Sequence, residues 1–126
     1  MTFDQLFRQW VEGITSNYSP DKHIKAYYFG IFQSPSSYAL YLIGTSTYDL
    51  DDDDWASNLE EFYLKDSYLE LPAAGYDHLT WEAMLALVVG TITEFCKSDI
   101  FQQSFLGRAE VIATGFDAGD LIILKK

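Results

Sequence analysis

Cysteine occurs once in this chain, at Cys96, so no internal disulfide can form and a reducing cytoplasm is the expected setting. Basic residues are scarce as well. Eight Lys and Arg stand against 19 Asp and Glu, which gives a formal charge of −11 and a pI near 4.3. That balance argues against nucleic acid as a partner, because phosphates would be repelled. It argues equally against anionic membrane surfaces. No apolar run approaches the roughly 18 residues of a membrane span. The opening Met1-Thr2-Phe3-Asp4-Gln5-Leu6 lacks the basic-then-apolar order of a signal peptide. Nucleotide-binding and nucleophile-elbow motifs are missing too: no GxSxG, GxxxxGK[ST] or GxGxxG occurs. The only histidines, His23 and His78, are 55 residues apart and are not spaced as a pair of metal ligands.

Apolar material is plentiful. Hydrophobic residues make up 48% of the chain and aromatics 17%, enough for a packed core, so global disorder is not expected. A length of 126 residues predicts one domain. Phe3, Leu6, Phe7, Trp10, Val11 and Ile14 recur at helical spacing and form one apolar stripe. Thr2 and Gln5 can close a capping box, which predicts a helix over about 3–17. Ile24–Phe32 and Tyr38–Gly44 are apolar on both faces and read as central strands of a hairpin, joined by Gln33–Ser37. Gly30 and Gly44 mark bulges or close approaches in them. Phe62–Leu64 and Tyr68–Leu71 read as one or two short strands before Pro72.

A second helix is expected over about 78–97 with Asp77 as its N-cap. Its apolar residues wrap most of the circumference, which predicts a largely buried helix. Ala109–Thr114 and Leu121–Leu124 should form a second hairpin. The fold class is therefore α+β: a mostly antiparallel sheet with two main helices packed on one face. Trp10, Phe29, Leu40, Leu42, Leu85, Val88 and Ile92 are the expected core.

The candidate functional residues lie in an acidic stretch. Nine of the 19 acids fall between Asp49 and Glu70, with Lys65 as the single base among them. Like charges this dense repel one another and add no packing, so a basic partner or a bound cation is the physical reason to look for. Asp49, Asp51 and Asp53 occupy positions 1, 3 and 5 of a calcium-loop count, and Glu60 occupies position 12. Asp54, however, stands where that loop needs Gly, and a strand precedes it in place of a helix. A solubilising loop is the plainest reading, but Trp55 sits oddly at the end of such a tract. A docking surface for a basic protein uses the whole set: Asp49, Asp51, Asp52, Asp53, Asp54, Trp55, Glu60 and Glu61. Dense carboxylates steer a cationic partner and offer paired oxygens to arginine forks. Trp55 is either a core residue or an interface anchor.

The remaining candidates point to structure. His23 lies in a turn and His78 in a first helical turn. Cys96, next to Phe95, reads as a small core residue. Arg8 and Arg108 alone are too little positive charge for an oxyanion or phosphate site. Paired carboxylates can cleave glycosides, but one of them needs an apolar pocket that raises its pKa, which tandem aspartates in a hydrophilic loop lack. No catalytic residue, no metal and no cofactor are therefore expected, with calcium binding or a general acidic protein-interaction module as the alternative.

The span Tyr28 to Trp55 runs Tyr-Phe-Gly-Ile-Phe, then Tyr-Ala-Leu-Tyr-Leu-Ile-Gly-Thr-Ser-Thr-Tyr-Asp, then Asp-Asp-Asp-Trp. It resembles small bacterial immunity proteins of contact-dependent and polymorphic toxin systems, in which a glycine-broken strand pair leads to an acid-and-Trp stretch. The resemblance implies a cytoplasmic, non-catalytic protein that binds a cognate toxin domain, often a basic nuclease, and blocks its active site. Tyr48, Asp49, Asp51 to Asp54 and Trp55 are the residues that carry it.

Overall fold

The computed structural model describes residues 2–35, 37–46, 62–63, 68–116 and 121–125. The first helix, α1, covers Phe3–Asn17. Its start is fixed by the expected capping box: the Gln5 N–H donates to Thr2 Oγ1 at 3.2 Å, and the Thr2 N–H donates to Gln5 Oε1 at 2.9 Å. Phe3, Phe7, Val11 and Ile14 are buried, while Trp10 is only half-buried because it lies on the flank of that stripe.

The strands β1 (Ala26–Gln33) and β2 (Tyr38–Thr45) pair antiparallel without a slip, from Ala26 opposite Thr45 to Gln33 opposite Tyr38. The connecting loop is thus 34–37, one residue shorter than the sequence suggests. It is closed by a Ser34 N–H to Ser37 carbonyl bond of 2.9 Å. Two short strands, β3 (Phe62–Tyr63) and β4 (Leu69–Glu70), both pair antiparallel with β2 on the edge away from β1. The next elements are α2 (Trp81–Phe95), a five-residue α3 (Asp99–Gln103) and a 3-10 turn at Phe105–Arg108. The chain then forms β5 (Val111–Phe116) and β6 (Ile122–Lys125), an antiparallel pair with a bulge between Ile112 and Ala113.

The sheet order is β3-β2-β1-β5-β6, with β4 also on β2. β1 and β5 run parallel, Ala26 beside Val111 and Ile31 beside Phe116. A parallel neighbour cannot be reached by a tight turn, so everything from β2 to the 3-10 turn forms the crossover between them. The class is α+β, mostly antiparallel with one parallel pair.

The main core fills the face where the helices pack. Phe7, Val11, Met84, Val88, Ile92 and Phe95 meet Tyr27, Phe29, Ile31, Leu40, Leu42 and Ile112 there. Phe7 is the hub, with ring centroids 5.6 Å from Phe29 and 5.5 Å from Phe95. On the opposite face Ala26, Tyr28, Ile43, Val111 and Ala113 are also buried, as strands apolar on both faces require. Phe29, Leu40, Leu42, Val88 and Ile92 take their expected core places.

Leu85 is only half-buried, and α2 is not the enclosed helix that its composition suggests. Met84, Val88, Ile92 and Phe95 form a single inward stripe, and Ala83, Ala86, Leu87 and Gly90 face outward. Small apolar residues tolerate that exposure, so composition overstated the burial. Thr80, not Asp77, caps α2, its hydroxyl accepting from the Ala83 N–H at 3.2 Å. Residues 76–79 stay in turns, and the Tyr38 hydroxyl donates to the Leu79 carbonyl at 2.7 Å. Gly30 and Gly44 mark close approaches; no bulge interrupts β1 and β2. A Cβ at Gly44 would lie 2.8 Å from Tyr27 Cε1 and 2.9 Å from Ile24 Cγ2.

Candidate functional site

Tyr48, Asp49, Asp51, Asp52, Asp53, Asp54, Trp55, Glu60 and Glu61 lie outside the described residues. Their attachment to the fold is described. The chain leaves the sheet at Thr45, the end of β2, and returns at Phe62, which pairs with Gly44. The acidic segment therefore starts and finishes at one point on the sheet edge. That point is fixed by rings. Phe62 has centroid distances of 6.2 Å to Tyr18, 6.1 Å to Tyr27 and 5.7 Å to Phe105. Those partners come from the end of α1, from β1 and from the 3-10 turn. Ring pairs of this kind contribute about 0.5–1.5 kcal/mol each beyond burial. Sequence inspection places Phe62 in a strand but does not show that it pins the end of the acidic segment to the core.

Charge is unevenly divided. The described residues hold nine acids and six bases, so −8 of the formal −11 falls outside them. The end of the sheet at which β2 finishes carries charge of both signs, with Asp21 and Glu110 among its exposed residues. Lys22, His23 and Lys25 precede β1, and Arg108 precedes β5; all four are exposed. The backbone binds these pieces together. The Lys25 N–H donates to the Thr45 carbonyl at 3.0 Å, and the Glu110 N–H donates to the Lys25 carbonyl at 2.7 Å. Arg108 Nη2 donates to the Pro20 carbonyl at 3.4 Å. Asp21 sits here too, its carboxyl held below the ordinary carboxylate range by the His23 imidazole, whose Nδ1 is 2.9 Å away.

The other reactive groups are poorly placed for chemistry. Burial pushes the Cys96 thiol up to about 11, with Lys125 opposing weakly, so at neutral pH it is a protonated, poor nucleophile. Burial likewise pushes the Tyr27 hydroxyl up to about 12. His78 Nδ1 lies 3.9 Å from Asp77 on an exposed turn. Among the described residues no three His, Cys, Asp or Glu side chains come together as a metal site. Nor, among them, is any helix long and apolar enough to cross a membrane. An open groove of about 360 Å³ is lined, among the described residues, by Trp10, Gly13, Ile14, Asn17 and Tyr18, none of which carries a carboxylate, imidazole or thiol.

Apolar residues are exposed on the helical layer, and sequence reasoning did not single them out. Trp81 is 59% exposed, with its ring edge-on to Phe116 at 6.3 Å, and Ile100 on α3 is also exposed. The one available signal is the absence of charge between Glu82 and Glu94. Comparison of the chain with protein-family models, with curated proteins and with solved structures finds no match.

Proposed function

We propose that this protein is a non-catalytic, immunity-type inhibitor that captures a basic toxin domain in the cytoplasm through the segment Asp49 to Glu61. The observation that carries the reading is the charge distribution. The described residues carry −3, and −8 is gathered in the remaining residues, most of it in one segment tethered between Thr45 and Phe62. A tract of carboxylates on a fixed base suits electrostatic capture. It raises the encounter rate with a cationic surface, and its oxygens can take the place of phosphates in a nuclease cleft. The pattern of a glycine-broken strand pair leading to an acid-and-Trp stretch in residues 28–55 is the sequence ground for that partner class.

The test begins with affinity capture of the partner from the native host, followed by stopped-flow mixing of the purified pair. Replacing Asp51, Asp52, Asp53 and Asp54 with Asn should slow association by about tenfold or more and flatten its dependence on salt. Dissociation should change less, unless an acid is buried against arginine, where losing one partner costs about 2–5 kcal/mol. An Asn-substituted segment with unaltered association rate and salt dependence would defeat the proposal. Trp55→Ala separates two roles. An interface anchor loses about 2 kcal/mol or more of affinity with unchanged melting, whereas a core residue loses stability first.

Calcium binding is the alternative, favoured by the spacing of Asp49, Asp51, Asp53 and Glu60. It requires calorimetric heat and a rise in melting temperature with micromolar-to-millimolar calcium, reversed by chelator. Neither signal is expected if capture of a basic protein is the whole role.

A further inference from the structure

We draw no further inference here: the strongest candidate, the outward face of α2, where Ala83, Ala86, Leu87 and Gly90 are exposed with no charged residue between Glu82 and Glu94, carries nothing because nothing in the structure shows what covers it.

Discussion

Gly30 sits in the middle of β1, directly opposite Tyr41 and beside Gly115, and a methyl group there has nowhere to go. The Cβ of an alanine would fall inside the van der Waals envelope of Tyr41 Cζ, Cε1 and Oη. Two effects then oppose each other. Gly30 does not have a positive φ, so alanine fits the backbone, and replacing a strand glycine would ordinarily stabilise by about 0.5–1 kcal/mol. Against this, the Tyr41 ring must leave its place among Tyr28, Phe32 and Tyr68, with centroids at 6.1, 6.1 and 6.3 Å. Each ring pair contributes about 0.5–1.5 kcal/mol, so displacement of all three forfeits up to roughly 1.5–4.5 kcal/mol. The clash wins, and Gly30→Ala should lose about 1–3 kcal/mol. Urea denaturation at constant slope measures this. The same substitution in a Tyr41→Ala background removes the clash and should cost less than about 0.5 kcal/mol, or stabilise. A small loss in the parent chain, or an equal loss in both backgrounds, would refute the argument that the ring occupies the space above Gly30.

Two further outcomes follow from burial and protonation. Met84→Ala should cost about 2–5 kcal/mol in denaturant titration, because its side chain is fully buried, whereas Ala86→Glu on the outer face of α2 should stay within about 0.5 kcal/mol. Equal losses at the two positions would show that α2 is enclosed after all. With its pKa near 11, Cys96 should react with an aromatic disulfide at pH 8 about a hundredfold or more slower in the native protein than in urea, where an ordinary thiol titrates near 8.5. Native labelling at the unfolded rate would place the thiol in solvent.

Local chemistry explains which elements could be read from the chain. α1 has both a cap pair and a single apolar stripe, and its observed bounds coincide with the expected ones. The β1–β2 hairpin is legible because two long apolar runs flank a Ser and Pro loop, and the β5–β6 hairpin because turn residues separate two β-branched runs. Three features were illegible. The parallel β1–β5 pair is a choice of neighbour made over 85 residues, and a strand apolar on both faces accepts either orientation. The orientation of α2 was hidden because Ala, Leu and Gly on its outer face look the same in sequence as core residues. α3 was missed because five residues are too short for a periodic signal, although Ser98 caps it with a 3.2 Å bond from the Phe101 N–H. For the candidate site the sequence shows where the charge is. The fold adds where that segment is anchored, and Phe62 could not have been singled out without the contacts of Tyr18, Tyr27 and Phe105.

The parallel seam between β1 and β5 sets a timetable for the growing chain. β1 is complete once Gln33 has been made, and β2 can pair with it soon after, yet its second partner spans Val111–Phe116. During synthesis at about 5–20 residues per second, the strand destined for the middle of the sheet therefore keeps an open edge for roughly 4–17 s. Such an edge is a template for pairing with other chains. The aspartates at 49–54 follow Gln33 by about 20 residues, so for most of that interval the nascent chain carries a dense negative charge, which repels like-charged neighbours.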